Sequence, residues 1–143
     1  MAYLEVIARA KVRPGQLEGF KAQAAEIVRV TREKDTHTLR CDWFIDEDGT
    51  ECEVHEAYLS GQGLIEHNTH VMDARAILFG KYAYGHRMTV FGEVSQELRE
   101  LSDKHAGGSR CVLVPPGPAN RGGCLGDEET GVTSWAAPAC WNG

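Results

Sequence analysis

Two hydrophobic periods and one tight turn predict an α+β fold in which an antiparallel sheet carries its helices on one face. Residues alternating apolar and polar mark four strands, and apolar residues at helical spacing mark two long helices. The pair Asp48-Gly49 joins the two middle strands as a hairpin, because both central positions of such a turn tolerate positive φ.

Leu4, Val6, Ala8, Ala10 and Val12 alternate with charged residues, so residues 3–12 make the first strand, and Ile7 on the other face hints that this face is also covered. Pro14-Gly15 breaks it. Leu17, Phe20, Ala24, Ile27, Val28 and Thr31 then follow the spacing of a helix over 16–32. Lys34 to Thr38 is the loop into the hairpin. After Tyr58, Ser60 is placed to cap a second helix whose stripe is Leu64, His67, Val71, Ala74 and Leu78, ended by Gly80. Residues 87–94 read as the fourth strand. Ser95 caps a short helix with Leu98 and Leu101 inward, and Cys111 to Val114 read as a last short strand.

Within the hairpin, pairing Glu47 with Thr50 sets Ile45 against Cys52, Trp43 against Val54, Cys41 against Glu56 and Leu39 against Tyr58. Every apolar residue of both strands then shares one face, and Glu56 is the single acid on it. A carboxylate there must find a partner or hold a proton, because unpaired burial of its charge is costly.

The 143 residues suit one domain over 1–115, followed by a Gly/Pro-rich tail over 116–143 that reads as extended or disordered, with Trp135 and Trp141 its only large aromatics. A net charge of −6 with no basic stripe argues against nucleic-acid binding. No apolar run reaches the roughly 20 residues that span a bilayer, and no basic-then-apolar leader opens the chain, so a cytoplasmic protein without membrane contact is expected. Five cysteines without a CxxC give no zinc-site spacing. Cys41 and Cys52 fall about 13 Å apart in the hairpin, too far for a disulfide, and read as buried small hydrophobes.

The order β-α-β-β-α-β specifies a ferredoxin-like split βαβ sheet. Over residues 3–94 the chain also resembles the antibiotic biosynthesis monooxygenase superfamily. The likeness lies in Val12-Arg13-Pro14-Gly15 leading to Phe20, in Cys52-x-Val54-x-Glu56-x-Tyr58, and in Ile65-Glu66-His67-Asn68-Thr69-His70. The resemblance implies a dimeric α+β barrel with a cavity between sheet and helices in each subunit. Of the proteins it resembles, some oxidise phenols or quinols with molecular oxygen and no metal or flavin, others degrade haem, and many have no known reaction. The chain departs from the pattern at Tyr58, where the family usually has a strand-end tryptophan. Ile7 or Ala8 stands where the haem-degrading branch has an asparagine, so haem degradation is not expected.

These residues yield one candidate site. His67 or His70 is the base that ionises a substrate hydroxyl, and Tyr58 or Asn68 the donor that steadies the resulting charge. Trp43, Glu56 and Met88 complete a pocket for a small aromatic molecule. Glu56, Tyr58, His67 and His70 are expected to cluster at its mouth, with no cofactor. As metal ligands, His67 and His70 would have only Glu56 as a third partner, and no metal is expected. Two function classes follow: a cofactor-independent monooxygenase, or a non-catalytic dimeric ligand-binding or stress-related module. In the second, Trp43, Val54, Leu78 and Met88 are simply core.

Overall fold

A computed structural model describes residues 3–105, 109–112 and 132–133, with side chains over 3–101. The strands are β1 (Leu4–Val12), β2 (Thr38–Asp46), β3 (Glu51–Tyr58), β4 (Ala83–Phe91), β5 (Ser109–Val112) and β6 (Val132–Thr133). The helices are α1 (Leu17–Lys34), α2 (Gly61–His70), α3 (Met72–Ile77) and α4 (Gln96–His105). The four long strands are mutually antiparallel in the order β4-β1-β3-β2, as the split βαβ arrangement requires. β5 adds in parallel outside β4, and β6 pairs with the opposite edge along β2. The rest of the expected tail, with Trp135 and Trp141, lies outside the described residues.

The alternation read in β1 and β3 is the alternation of burial. Leu4, Val6 and Val12 on β1, and Cys52, Val54 and Tyr58 on β3, are buried against the helices. α1 meets them with Phe20, Ala24, Ile27 and Val30; fully burying a side chain the size of Phe20 contributes roughly 1.5–3 kcal/mol. A second cluster of Leu4, Val6, Tyr58, Leu64, Met88, Val90 and Leu98 closes the other end of the sheet. Ser95 caps α4 as expected, its Oγ accepting from Leu98 N at 3.2 Å.

The hairpin register holds for Ile45↔Cys52, Trp43↔Val54 and Cys41↔Glu56, and then slips. A bulge between Thr38 and Arg40 sets Thr38, not Leu39, opposite Tyr58 and turns Leu39 out to solvent. The connection is longer than a two-residue turn. Gly49, at φ 70, closes a turn onto Asp46, and the Asp46 carboxylate accepts from Thr50 N and Glu51 N at 2.8 and 3.0 Å.

Three boundaries differ from the sequence reading. Ser60 precedes α2 in extended conformation without a side-chain cap bond, and its carbonyl instead accepts from Gly63 N. The second long helix kinks at Val71 rather than running straight, although Val71 N and Arg75 N still bond four residues back. Gly80 does not end it, because Leu78–Tyr82 form a π-helical turn that leads into β4 at Ala83 rather than Arg87. Among the described residues, no helix is long and apolar enough to cross a membrane.

Candidate active site

The inner face of β3 sends Glu56 beneath α2, into the space where an acid on an apolar strand must find help. Its side chain is 11% exposed, and burial pushes its carboxyl above the ordinary value, partly opposed by His67 and Arg75. His67 Nε2 lies 3.7 Å from Glu56 Oε1, a charge contact rather than a hydrogen bond. The other ring nitrogen, Nδ1, is 2.7 Å from Asp35 Oδ2.

Asp35 is the residue around which the histidines are arranged. It stands at the C-cap of α1, and its second oxygen, Oδ1, lies 2.7 Å from His70 Nδ1. Thr38 Oγ1 donates to Oδ2 at 2.7 Å. Burial would raise this carboxyl, yet the hydrogen bonds from His67, His70 and Thr38 prevail and hold it below the ordinary range. An ionised Asp35 only accepts, so both histidines carry a proton on Nδ1 and His67 turns Nε2 toward Glu56. Gly63 permits this approach. A Cβ there would lie 2.9 Å from His37 Cβ and 3.3 Å from Tyr58 Cβ, so only glycine lets α2 sit this close to the start of β2.

From α3, Arg75 enters the same space. Its Nη1 donates to Asn68 Oδ1 at 3.2 Å, and its guanidinium lies 5.7 Å from the centre of the Phe79 ring. Nη2 is 3.4 Å from both ring nitrogens of His86. Burial, with Arg75 beside it, pushes His86 down to about 4, so this imidazole is neutral at pH 7.

Glu56, His67 and Arg75 border a narrow cleft that holds about 60 Å³ of space and opens to solvent. Its polar lining is Arg9, Glu56, His67, Asn68, Arg75 and His86; Phe20, Trp43, Leu78, Phe79 and Met88 supply apolar wall. Trp43 packs edge-on to Phe20, and its Nε1 is buried without a partner among the described residues.

Of the residues singled out from the sequence, Trp43, Glu56, His67, Asn68 and Met88 line the cleft; His70 and Tyr58 do not. His70 turns away to Asp35 instead of edging the cleft. Glu66 itself takes His37 Nδ1 at 2.7 Å. Tyr58 is fully buried, its ring 5.6 Å from that of His67, and its hydroxyl lies near Glu56 without a well-formed hydrogen bond among the described residues. Burial, then the negative charge of Glu56, raises this phenol far above its usual range, so it stays protonated. Among the described residues the trio of His67, His70 and Glu56 does not gather as a ligand set; His70 Nδ1 is taken by Asp35 Oδ1 and His67 Nδ1 by Oδ2.

Asp35, Arg75 and His86 were missed. Asp35 had a legible signal: a carboxylate at the negative end of a helix is disfavoured and calls for a cationic or donor partner. Arg75 falls four residues after Val71 on the inward stripe, where its charge alone suggested a solvated residue. His86 gave none.

No family model matches the sequence, and no curated protein does. Solved structures do match. MupZ from Pseudomonas fluorescens is 20% identical with a TM-score of 0.67 over 83% of this chain and 95% of its own. Rv0793 from Mycobacterium tuberculosis is 25% identical with a TM-score of 0.56 over 66% of this chain and 97% of its own. A candidate antibiotic biosynthesis monooxygenase from Nitrosomonas europaea is 19% identical with a TM-score of 0.56 over 66% and 92%. The chain has the α+β fold of the antibiotic biosynthesis monooxygenase superfamily, which its strand and helix motifs resemble.

Proposed function

We propose that this chain is a cofactor-independent monooxygenase that oxidises a phenolic or quinol-type aromatic molecule with molecular oxygen. The observation that carries this reading is the alignment of Asp35, His67 and Glu56 at the edge of an aromatic cleft. Asp35 fixes the orientation of His67, and Glu56 faces its free nitrogen. A carboxyl raised by burial is a better base near neutral pH than an exposed one. The pair takes the phenolic proton, and Arg75 stabilises the phenolate that forms.

The ionised ring is electron-rich enough to reduce oxygen. For a ring methylene the balance is CH₂ plus O₂ giving C=O plus H₂O. Two C–H bonds break, one oxygen atom enters the product, the other leaves as water, and the substrate supplies all the electrons. Trp43 Nε1–H, buried and without a hydrogen-bond partner among the described residues, suits the oxygen of such a ligand. Tyr58 and His70 are positioning residues here, one packed on His67 and the other tied to Asp35.

Homodimerisation belongs to the same reading. The sheet face away from the helices carries Ile7, Phe44 and Phe91, none fully exposed, around the Arg9–Glu53–His55 network, and a single-layer sheet gains from cover on that side.

Oxygen uptake against a panel of quinols and anthrones tests the chemistry. The expected result is consumption matched by quinone formation, with kcat lowered roughly 100-fold or more in Glu56→Gln and His67→Ala. A second reading, a ligand-binding module without turnover, draws support from the narrowness of the cleft. Aromatic ligands that bind without oxygen uptake would favour it and overturn the first.

A further inference from the structure

The Oδ1 oxygen of Asp35 turns from His67 into another cluster, none of whose groups touches the substrate in the proposed oxidation. One donor atom from each of Asp35, Glu66 and His70 lies within 4.8 Å of the other two. His37 Nδ1 lies 2.7 Å from Glu66 Oε2 and 2.7 Å from Thr36 Oγ1, outside this trio. We propose that Asp35, Glu66 and His70 bind a divalent transition-metal ion of the zinc class, with water completing its shell.

The spacing fits. Around a tetrahedral zinc with bonds of about 2.1 Å, donor atoms stand roughly 3.4 Å apart. Here His70 Nδ1 and Asp35 Oδ1 are 2.7 Å apart, and the widest separation in the trio stays within 4.8 Å, so slight opening of one pair and closing of another reaches the geometry. Asp35 is the fixed corner, its side chain 1% exposed and held by Thr38 and His67. Glu66 and His70 lie one turn apart on the same face of α2 and are partly exposed, which gives them room to adjust and the ion a way in.

The surroundings are those of a supported ligand set. Glu66 is oriented by Thr36, whose N–H donates to Oε1 at 2.8 Å and whose hydroxyl reaches both oxygens at 3.0 and 3.1 Å. Asp35 keeps its second oxygen on His67 while the first is free to ligate. Two carboxylates lie close together here, and a dication neutralises both. A mixed nitrogen and oxygen set selects zinc, nickel, cobalt or copper over calcium and magnesium, which prefer all-oxygen shells.

The proton balance is simple. Ligation needs a lone pair on His70 Nδ1, so the proton now shared with Asp35 passes to Nε2 on the solvent side. The metal replaces that proton, and no redox change is involved. Through Asp35 the ion would lie one carboxylate away from His67.

Co²⁺ titration of the metal-stripped full chain, followed by visible ligand-field absorption, tests the site without any substrate. One equivalent is expected to bind with bands of a nitrogen–oxygen site, no thiolate charge-transfer band, and displacement by Zn²⁺. Glu66→Gln and His70→Ala should each weaken binding at least roughly tenfold, with circular dichroism unchanged. Should His70→Ala fail to fold, Glu66→Gln alone decides, because its side chain is at the surface. Absence of saturable binding, a thiolate band, or wild-type affinity in Glu66→Gln overturns the proposal.

Discussion

Asp35 Oδ2 and His67 Nδ1 meet at 2.7 Å between the end of one helix and the last turn of another, 32 residues apart in the chain. The contact is buried on both sides, so it fixes the protonated nitrogen of His67 and leaves the other for the cleft.

Asp35→Ala strips the acceptor from two histidines at once. Leaving buried donors without their charged acceptor costs roughly 1–3 kcal/mol, and urea unfolding at pH 7 should show a loss in that range, since His70 can turn to water. The sign with pH follows from the depressed carboxyl. Its stabilisation is present above the ordinary value of ~3.9 and is lost as pH falls through the lower folded value, so wild type and variant should converge in acid.

His86 is expected to titrate near its lowered value of about 4 in an NMR pH series. The unfolded chain binds that proton near ~6.5, so between these limits the unfolded state holds more protons and stability falls with falling pH. One proton gives a slope of at most about 1.4 kcal/mol per pH unit. In His86→Phe that part of the slope should vanish.

Arg75→Met should keep the apolar contact with Phe79 and remove the charge facing Glu56. Affinity for an anionic aromatic ligand, read by calorimetry, should drop roughly tenfold or more, about 1.4 kcal/mol. Equal affinity for the charged ligand and its neutral analogue in wild type would exclude Arg75 as an anion contact.

The sheet could be read from the sequence because β1 and β3 bury alternate residues, a pattern with period two that survives without coordinates. The strand face also disclosed Glu56, since one acid among Cys52, Val54 and Tyr58 breaks the pattern. What stayed hidden depends on one extra residue or on distant partners. The bulge at Leu39 leaves no mark in composition. Asp35 reaches His67 and His70 only after α1 and α2 pack, and Arg75 reads as surface until α3 folds over the cleft. His70 was placed at the cleft by its helical angle alone, which could not foresee the stronger attraction of Asp35.

Gly63→Ala should destabilise by roughly 1–3 kcal/mol, because the added methyl meets His37 Cβ at 2.9 Å and backbone oxygen at 3.2 Å. Thermal unfolding checks the stability. Loss of the His67 NMR shift pattern in the variant would show that α2 has been pushed from the sheet.

Cys41 and Cys52 should resist alkylation in the native protein. Both are buried, and burial pushes both thiols up, Cys52 to about 12, so almost no thiolate exists at pH 7. Peptide mapping after iodoacetamide should find them unlabelled until denaturant is added.

Because Asp35 follows directly on the last turn of α1, that helix acts as a ruler for the chemistry beyond it. One inserted residue would swing Asp35 by about 100° and advance it about 1.5 Å, out of reach of both imidazoles. A seven-residue insertion would nearly restore the phase but carry the carboxylate about 10 Å too far. Functional chains of this design can therefore vary in the sequence of α1 far more freely than in its count of residues.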